Sequence, residues 1–497
     1  MPRRQLTDVE RVAREQLGFS SLRPGQEEAV RAVLSGRDTL LIQPTGSGKS
    51  AIYQAAGLLL EGATIVVSPL IALQKDQVDS IECQPHGAKA ALINSTLPAS
   101  ELRDTLAKVA AGEVEFIFLA PEQLRKPETI DILKSGEPSL FVVDEAHCIS
   151  EWGHSFRPDY LTLGSVIEEL GHPTVLAMTA TAAPQVRDEI IDRLRMRDAN
   201  VLVRGFDRPN IQLRVDVFQT EDEKLEALLR RIQFADKPGI VYVATRKNAE
   251  MLGAALQEGG IHALFYHAGL KAPERASIQE RFMDGGAEVI IATSAFGMGI
   301  DKADVRFVYH ADISDSIDSY YQEIGRAGRD GEPAEAVLFY RSQDLALRRF
   351  QAGGGKLEPH QIAQVAEIIQ RETGPVVPAD IAKQTDLSAR KISTVVNRLE
   401  DVGALQTSED GSVQLSPGLH PAEVAKLAAD AQDELQQAQR DRIEWMERYA
   451  ELTTCRREFL LRYFGDEFQG PCGNCDKDSS SGNGLSDDSA GTRREVA

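Results

Sequence analysis

Residues 39–50 are Thr39-Leu-Leu-Ile-Gln-Pro-Thr-Gly-Ser-Gly-Lys-Ser50, and the helix-forming residues Ala51-Ile-Tyr-Gln follow directly. An apolar run, a glycine-rich turn and a Lys-Ser pair in this order are typical of a strand, a loop and a helix that bind phosphate. In this arrangement successive backbone N–H groups and the helix N-terminus face an anion. Gln43 stands where the strict pattern has glycine, but the surrounding strand, Lys-Ser pair and helix agree with it. A glycine-rich turn without a ligand is the weaker alternative, and we predict a phosphate-binding loop in an α/β fold.

The residues of this loop have separate expected roles. Lys49 is expected to contact the terminal phosphates of a nucleotide, and the hydroxyl of Ser50 is expected to bind Mg²⁺. The other loop residues expected to surround the phosphates are Thr45, Gly46, Ser47 and Gly48.

Short β-branched and apolar runs alternate with helical stretches along most of the chain. The first series comprises residues 39–43, 64–68, 116–119, 140–143 and 175–178. The second series comprises residues 239–243, 263–266, 289–292, 305–309 and 336–340. Strands that are buried on both faces and joined by helices form parallel sheets. We therefore predict two α/β domains with parallel sheets, residues 1–207 and 208–345, with the boundary near Phe206 to Pro209.

Two carboxylates follow the apolar run at residues 140–143. The stretch is Leu140-Phe-Val-Val-Asp144-Glu145-Ala-His147. Because parallel strands direct their C-terminal ends toward one crevice, Asp144 can hold Mg²⁺ through water while Glu145 orients or deprotonates the attacking water. An exposed turn is the alternative, but the four uncharged residues before Asp144 indicate a buried strand. ATP hydrolysis is the natural inference.

Charge on a transferring phosphoryl group also needs cationic donors. The second predicted domain offers them in Gln322-Glu-Ile-Gly-Arg326-Ala-Gly-Arg329, where the two arginines stand three residues apart. We expect one helical turn to present both guanidinium groups toward a partner surface. Arg326 and Arg329 are therefore our arginine-finger candidates, with Gln322 beside them. Taken alone, such a run would more often be a solvated charged face, and it gains weight only with the other segments.

The composition excludes several classes of protein. The chain has 497 residues, enough for about three domains. Its net charge of −21 argues against non-specific adhesion to polyanions or to acidic membrane surfaces. No apolar run approaches the roughly 18 residues that a membrane span needs. We expect a cytoplasmic protein, nucleoid-associated if its source is bacterial, that does not contact a membrane.

Four segments follow one another along the chain: the phosphate loop, Asp144 to His147, Thr179-Ala-Thr, and Gln322 to Arg329. Their order resembles a superfamily 2 helicase, in which two RecA-like domains clamp ATP. Three further segments narrow the resemblance to the RecQ family: residues 17–26, residues 148–160, and the C-terminal segments around Cys455, Tyr463-Phe-Gly and Cys472-Gly-Asn-Cys475. The resemblance covers about residues 10–345 and 440–478. It implies an ATP-dependent DNA helicase that moves 3′ to 5′ on single-stranded DNA and unwinds duplexes in DNA repair, recombination or replication.

The resemblance also assigns nucleotide-binding residues. In the segment at residues 17–26, Phe19 and Arg23 would sandwich adenine, and Gln26 would contact its edge. Gly299 and Asp301 would belong to the ATP side of the second domain.

A loop rich in aromatic residues is the candidate single-strand DNA site. Trp152 and Phe156 stand four residues apart, with His154 between them and Arg157 just after. Flat side chains of this kind can stack on unpaired bases, each stack being worth ~1–3 kcal/mol, and an arginine can contact phosphate. Aromatic residues filling a core are the alternative, which the polar and glycine neighbours disfavour. Since Trp152 lies five residues beyond His147, DNA on this loop could shift Glu145 or its water.

The resemblance also assigns Ser68 to the strand-binding surface. The net charge does not forbid such a surface, because a groove only has to be positive locally.

Five cysteines are too few for a disulfide framework, and three of them cluster near the end of the chain. Two thiolates at CxxC spacing can meet a tetrahedral ion. Cys472 and Cys475 supply this pair, and Cys455, expected on the preceding helix, supplies a third thiolate. The fourth cysteine of the family would fall at Asp478, and Asp is an acceptable zinc ligand. We predict a structural Zn²⁺ site of three thiolates and Asp478, with Asp476, a water or a vacant position as the alternatives.

Residues 357–418 predict a winged helix-turn-helix. Ile362, Val365 and Ile369 mark one helix, Ile381 lies in a second, Ser388 could cap a third, and Asp410-Gly411 indicates a hairpin. The segment has five Lys and Arg residues against nine Asp and Glu residues. DNA binding needs a positive face, so bracing of domains or binding of a protein stays an equal alternative. A helical hairpin with the zinc-binding subdomain follows at residues 419–478, and a polar tail at residues 479–497 is expected to be disordered.

Two other functions remain open at this point. One is an RNA helicase or duplex translocase of the same superfamily. The other is a winged-helix regulator whose nucleotide site only switches conformation, with protein partners at the winged helix or the C-terminal tail.

Overall fold

The computed structural model describes residues 3–478, with gaps at residues 19–20, 24, 45, 70, 85–86, 95–96, 151–155, 298–299, 301, 354–356, 373, 409–411 and 417.

A seven-stranded parallel sheet forms the first domain. Its strands are β1 (Thr39–Ile42), β2 (Thr64–Val67), β3 (Ala90–Ile93), β4 (Phe116–Leu119), β5 (Leu140–Val143), β6 (Thr174–Thr179) and β7 (Asn200–Val203). They are ordered β3-β4-β2-β5-β6-β1-β7. The helices of this domain are α1 (Arg3–Glu15), α2 (Gln26–Leu34), α3 (Ser50–Gly57), α4 (Ile71–Glu82), α5 (Ala99–Ala110), α6 (Pro127–Ser135), α7 (Leu163–Glu169) and α8 (Pro184–Arg193). The central strands are buried on both faces, which accounts for their uninterrupted apolar sequences.

A six-stranded parallel sheet forms the second domain. Its strands are β8 (Ile211–Val217), β9 (Gly239–Tyr242), β10 (Ala263–Tyr266), β11 (Val289–Ala292), β12 (Phe307–His310) and β13 (Ala334–Tyr340), in the order β10-β11-β9-β12-β13-β8. The helices here are α9 (Glu221–Phe234), α10 (Arg246–Glu258), α11 (Ala272–Met283), α12 (Ile317–Ile324) and α13 (Asp344–Gly353). The predicted pair of α/β domains with parallel sheets is confirmed.

Three strands were not predicted from the sequence: β3, β7 and β8. All three lie at an edge of their sheet, where each has a single neighbouring strand. Only part of each strand is buried, with alternation in β3 and at the start of β8, whereas the central strands β1, β2 and β5 are buried throughout. These three edge strands therefore give a weaker sequence signal than the fully buried central strands.

The predicted winged helix-turn-helix is present between the second sheet and the C-terminal helices. It consists of α14 (Pro359–Arg371), α15 (Pro378–Lys383), α16 (Ala389–Asp401) and an antiparallel pair, β14 (Leu405–Thr407) and β15 (Val413–Leu415). The hydroxyl of Ser388 accepts a hydrogen bond of 3.3 Å from the backbone N–H of Lys391 and so caps α16. Asp410 and Gly411, which predicted the hairpin turn, lie outside the described residues.

A 30-residue helix, α17 (Pro421–Ala450), joins the winged helix to the motor domains. Near its start, Val424, Ala425 and Ala428 share one apolar core with the winged helix. Near its end, Met446 and Tyr449 are buried in the core of the motor domains. One helix therefore enters both cores and connects the winged helix to the motor domains.

The last helix, α18 (Arg456–Tyr463), packs where the two sheets meet. The ring of Phe464 stacks on Phe206 of the connecting segment, with ring centres 4.8 Å apart. Arg187 of α8 donates a hydrogen bond to the carbonyl of Phe464. The hydroxyl of Tyr463 donates a hydrogen bond of 2.7 Å to Asp318 of α12. The C-terminal subdomain therefore contacts both motor domains and the segment between them.

Within the described ranges, no helix combines the length and the apolar character that crossing a membrane requires.

Candidate nucleotide site and zinc centre

The phosphate loop lies at the C-terminal end of β1 and leads into α3, as predicted. Gly46 and Gly48 have φ angles of 80° and 81°, a region that favours glycine. The amine of Lys49 donates hydrogen bonds of 3.0 Å and 3.3 Å to the carbonyls of Gln43 and Pro44. Burial lowers the pKa of Lys49, while the nearby carboxylates Glu145 and Asp144 act in the opposite direction. The lysine is thus held beside both predicted catalytic carboxylates.

Gln26 at the start of α2 supports the loop from the side. Its amide nitrogen donates hydrogen bonds of 2.8 Å and 3.0 Å to the carbonyls of Ser47 and Gly48. A Cβ atom on Gly48 would lie 2.7 Å from that nitrogen, so a larger residue would displace the Gln26 amide from its contacts with the loop. Arg23 donates to the carbonyl of Gly46 at 3.3 Å. Two of the three predicted adenine-binding residues, Arg23 and Gln26, are therefore next to the phosphate loop, and their contacts with adenine stay a prediction.

Asp144 follows β5 and lies next to β2. The hydroxyl of Ser68, at the end of β2, donates a hydrogen bond of 3.3 Å to the carboxylate of Asp144. Ser68 is buried, and its carbonyl accepts a hydrogen bond of 2.7 Å from Gln74. Ser68 thus lies inside the nucleotide site, and its contact with a DNA strand stays a prediction. Burial and then the charge of Glu145 raise the pKa of Asp144 to about 6.

Glu145 has a backbone conformation that non-glycine residues rarely adopt, with φ at 48°. Burial raises the pKa of its carboxyl group, while the charges of Lys49 and Arg326 oppose that rise. Its Oε2 atom is buried and accepts no hydrogen bond from any residue that the structure describes. A buried acceptor of this kind is suited to hold a water molecule.

His147 joins this carboxylate to the end of β6. Its Nδ1 atom lies 3.4 Å from Glu145 and forms a hydrogen bond of 2.8 Å with the hydroxyl of Thr179. Burial, followed by the charges of Lys49 and Arg157, lowers the pKa of His147 to about 3. The imidazole is therefore neutral at physiological pH and orients its neighbours without adding charge.

The second domain reaches this site across a cavity of about 150 Å³. Glu145 and His147 line one side of the cavity, and Gly297, Gln322 and Arg326 line the other. The amide of Gln322 donates a hydrogen bond of 3.0 Å to the hydroxyl of Thr181, which follows β6 of the first sheet. The predicted catalytic residues of the two domains are thus brought together at one cleft.

Arg326 and Arg329 do not share a helical turn, and that part of the prediction was wrong. Helix α12 ends at Ile324, and both arginines lie in the turns that follow. Gly328 has a φ of 55°, which stops the helix from continuing through it. Arg326 donates a hydrogen bond to the carbonyl of Gly297, and Arg329 donates one of 2.8 Å to the carbonyl of Ile300. The two guanidinium groups are therefore positioned by backbone carbonyls of the second domain.

The aromatic loop is described only at its C-terminal end. Arg157 donates a hydrogen bond of 3.1 Å to the carbonyl of Pro69, next to Ser68. Its backbone N–H donates one of 2.8 Å to the carbonyl of Cys148, and Phe156 is half-buried. Trp152 and His154 lie outside the described residues, as do Phe19, Thr45, Gly299 and Asp301.

The predicted zinc ligands are close together at the C-terminus. The ligand atoms of Cys455, Cys472, Cys475 and Asp478 all lie within 4.8 Å of one another. A tetrahedral ion with Zn–S bonds of about 2.3 Å needs sulfur atoms about 3.8 Å apart, so the set is compact enough to close around Zn²⁺. Cys455 precedes α18 as its N-cap residue and does not lie within a helix.

The carboxylate of Asp478 is held in place by the CxxC turn. One of its oxygens accepts hydrogen bonds of 2.6 Å and 3.3 Å from the backbone N–H groups of Cys472 and Gly473. Burial works against the charge of Asp478, but hydrogen bonds from Cys472 and Cys455 prevail and lower its pKa to about 2. A carboxylate has two oxygen atoms, so a metal can be bound while the backbone contacts are kept.

Several residues of the site were not found from the sequence. The sequence did not predict that Thr181 would contact Gln322. It also did not predict the role of Tyr160, whose hydroxyl donates a hydrogen bond of 3.0 Å to the carbonyl of Asp144. Hydroxyl side chains that act through long-range contacts carry no spacing signal of their own.

Three segments match known protein families. Residues 23–190 match the DEAD/DEAH box helicase family, residues 223–331 match the helicase conserved C-terminal domain, and residues 419–479 match the RecQ zinc-binding family. The two sheets and the cysteine cluster fall within these segments.

Curated relatives and solved structures agree with these matches. The chain is 35% identical over 471 residues to the probable ATP-dependent DNA helicase RecS of Bacillus subtilis (strain 168), covering 94% of this chain and 91% of RecS. It is 35% identical over 460 residues to the ATP-dependent DNA helicase RecQ of Pasteurella multocida (strain Pm70), covering 92% of this chain and 60% of that protein. The structure of Mycobacterium smegmatis helicase Lhr bound to ssDNA and AMP-PNP is similar, with a TM-score of 0.53, 21% identity and coverage of 84% of this chain and 60% of Lhr. That likeness shows the fold.

The chain therefore spans nearly all of RecS and about three fifths of the Pasteurella RecQ. A match to RecS over almost the full length of both chains, with the zinc-binding match at residues 419–479, shows that this chain belongs to the RecQ family of ATP-dependent DNA helicases.

Proposed function

We propose that the protein is an ATP- and Mg²⁺-dependent helicase that moves 3′ to 5′ along single-stranded DNA and separates duplexes in DNA repair, recombination or replication. The single observation that carries this proposal is the cleft in which Lys49 and Glu145 of one domain meet Arg326 of the other. Charges from two separately folded domains come together there, so nucleotide turnover can be coupled to their relative movement.

Each residue of the cleft has a separate proposed role in hydrolysis. Ser50 and Asp144 would hold Mg²⁺, which supplies positive charge to the phosphates. Lys49 binds the terminal phosphates, and the free Oε2 atom of Glu145 orients the attacking water. Arg326 and Arg329 stabilise the charge that develops on the transferring phosphoryl group. The neutral imidazole of His147 keeps Glu145 in place.

DNA is the proposed polynucleotide substrate. The aromatic loop would stack bases on Trp152 and Phe156, with His154 and Arg157 beside them. The contact between Arg157 and the carbonyl of Pro69 supports a path from this loop to Ser68 and then to Asp144. DNA on the loop would in this way raise the rate of hydrolysis. An enzyme of this kind works where the chromosome is, which in a bacterium is the nucleoid.

The zinc centre is proposed to be structural. Cys455, Cys472, Cys475 and Asp478 would supply all four ligands, which leaves no open position for a substrate. The ion would fasten α18 and the CxxC turn to the second sheet, where the backbone N–H of Leu213 donates a hydrogen bond of 3.2 Å to the carbonyl of Asn474. Contact of the winged helix with DNA, or with a protein partner, stays a prediction.

The test measures ATP hydrolysis by the full chain with Mg²⁺, with and without single-stranded DNA or RNA. Hydrolysis should rise with DNA, and Glu145→Gln should abolish turnover while ATP and DNA still bind. The exposed Glu169 of α7 provides the matched control Glu169→Gln, which should behave as wild type. Unwinding of duplexes with a 3′ or a 5′ single-stranded tail then tests polarity. A rate that stays the same with and without DNA would refute the proposal, and stronger stimulation by RNA would assign the enzyme to RNA.

A further inference from the structure

The turn that carries both arginine fingers has backbone carbonyls that need partners. Helix α12 ends at Ile324, and the last carbonyls of a helix and of the turn after it are not satisfied within the helix. Arg326 and Arg329 stand in this turn, between Gly325 and Asp330. The position of the two guanidinium groups therefore depends on what holds these carbonyls.

Arg208, in the segment between the two sheets, donates hydrogen bonds to three of these backbone carbonyls. Its guanidinium group donates hydrogen bonds of 2.8 Å to the carbonyl of Gly325, 2.6 Å to that of Ala327 and 3.0 Å to that of Gly328. A guanidinium group is planar and offers five donors in a fixed geometry, so one side chain can fix the relative positions of three acceptors. Arg326 lies between the first two of these carbonyls, and Arg329 follows the third.

Asn210 supports the same turn from two residues further along. Its amide nitrogen donates hydrogen bonds of 2.8 Å to the carbonyl of Gly328 and 2.9 Å to that of Glu332. A Cβ atom on Gly328 would lie 2.5 Å from that nitrogen. Glycine at this position is thus required both by its φ of 55° and by the close approach of Asn210.

The segment that carries Arg208 is itself anchored. Arg457 of α18 is buried and donates hydrogen bonds of 3.0 Å to the carbonyl of Arg208 and 3.2 Å to that of Ile211. Its guanidinium group also lies 3.3 Å from the carboxylate of Asp207. Since Arg457 is two residues from Cys455, the zinc-binding subdomain holds the backbone from which Arg208 reaches the arginine turn.

We propose that Arg208 is a positioning residue for ATP hydrolysis: it holds the turn of residues 325–329 so that Arg326 and Arg329 are placed for the transition state. The inference rests on the proposed hydrolysis and adds the connecting segment to the machinery that performs it. The hydrogen bonds that Arg208 donates within the described part of the chain go to backbone carbonyls of the turn, so its loss should not remove a contact with the nucleotide. A displacement of a catalytic group by about 1 Å can cost on the order of a hundredfold in rate.

The experiment compares Arg208→Gln with wild type in the full, zinc-loaded chain. Arg214→Gln is the matched control, because Arg214 lies nearby in the chain on β8, is half exposed and pairs only with Asp216 among the ion pairs described. Steady-state hydrolysis with saturating single-stranded DNA gives kcat and the KM for ATP. Zinc content and the thermal midpoint of unfolding verify that the fold is intact. Arg208→Gln should lower kcat at least about tenfold, with the KM for ATP changed less than about twofold.

A combined substitution separates positioning from a general loss of structure. If Arg208 acts through Arg326 and Arg329, adding Arg208→Gln to a variant that carries both Arg326→Ala and Arg329→Ala should not slow that variant further. The proposal would be overturned if Arg208→Gln slows the combined variant by the same factor as it slows wild type. It would also be overturned if kcat of Arg208→Gln lies within about twofold of wild type.

Hydrogen exchange of residues 325–331, followed by mass spectrometry, provides a readout that does not depend on turnover. Exchange in this segment should be faster in Arg208→Gln and unchanged in Arg214→Gln. Unchanged exchange in Arg208→Gln would contradict the inference even if the enzyme is active. A wild-type protein without DNA-stimulated hydrolysis would instead refute the proposed function, while the exchange experiment would still decide whether Arg208 holds the turn.

Discussion

The amide of Gln322 donates a hydrogen bond of 3.0 Å to the hydroxyl of Thr181 across the cleft between the two sheets. Thr181 is buried, and its backbone N–H and carbonyl both contact the hydroxyl of Thr179. Thr179 in turn contacts His147 at 2.8 Å. A chain of hydrogen bonds thus runs from helix α12 of the second domain to His147, whose Nδ1 atom lies 3.4 Å from the catalytic carboxylate of Glu145.

Thr181→Val should therefore slow hydrolysis without preventing nucleotide binding. A hydrogen bond of this kind contributes about 0.5–1.5 kcal/mol, so kcat with DNA should fall about three- to tenfold. The KM for ATP should change little, because Thr181 is not part of the phosphate loop. Steady-state kinetics of Thr181→Val, Gln322→Ala and the double variant check this. A double variant slower than Gln322→Ala alone by the full Thr181→Val factor would show that the two residues act independently.

The phosphate loop and the zinc ligands could be predicted because their residues are close in sequence. Residues 43–50 form one loop, and Cys472 and Cys475 form one turn, so spacing alone determines which groups meet. The same holds for Asp144 and Glu145, whose place at the end of an apolar run fixes the edge of the sheet on which they lie. The ligands Cys455 and Asp478 are not fixed by this spacing, and Asp478 was assigned through the resemblance to the RecQ family.

Contacts between distant segments could not be predicted in this way. Arg208 and Gly328 are 120 residues apart, and nothing in the sequence near Arg208 indicates a glycine-rich turn as its partner. The end of α12 was also missed, since the pattern from Gln322 to Arg329 fits a helix until the backbone of Gly328 is known. The edge strands β3, β7 and β8 were missed for a related reason, because their partly exposed residues give a weaker signal than a fully buried strand.

Asp144→Asn should make the nucleotide-free protein more stable while abolishing Mg²⁺-dependent hydrolysis. Because the pKa of this carboxyl rises from 3.8 to about 6 on folding, its ionised form destabilises the native state above pH 6. The penalty disappears as the pH falls toward 3.8. At pH 7.5, without Mg²⁺ or nucleotide, the thermal midpoint should rise by about 2–4 °C. Asp198→Asn is the control, since the Asp198 side chain is 94% exposed. A gain that is equally large at pH 4.5 and pH 7.5 would contradict this account.

Asp478→Cys should strengthen the zinc site. A fourth thiolate binds Zn²⁺ more tightly than a carboxylate, so zinc release to a chelator should slow at least about threefold. Asp478→Ala should accelerate release, because it removes both the ligand and the acceptor for the backbone N–H of Cys472. ATP hydrolysis by Asp478→Cys should stay close to wild type, since the site is structural. If metal analysis finds no zinc in either protein, the proposed ligand set is wrong.

Arg157→Gln should uncouple DNA binding from hydrolysis. Arg157 connects the aromatic loop to the carbonyl of Pro69, and the neighbouring Ser68 donates a hydrogen bond to Asp144. Removing the guanidinium group breaks this connection but leaves Lys49 and Glu145 untouched, so the basal rate should stay near wild type and its stimulation by DNA should be lost. Trp152→Ala should have the same effect, because it removes the stacking surface at the other end of the path.

The measurement for these two variants is the rate of ATP hydrolysis as a function of single-stranded DNA concentration, with binding of the same DNA followed by fluorescence anisotropy. Arg103→Gln, at an exposed position of α5, is the matched control and should keep full stimulation. If Arg157→Gln lowers the basal rate and the DNA-stimulated rate by equal factors relative to wild type, Arg157 supports the fold of the site and does not transmit the DNA signal. If Trp152→Ala binds DNA weakly but is stimulated fully at saturation, the loop provides affinity alone, and the coupling to Glu145 must take another route.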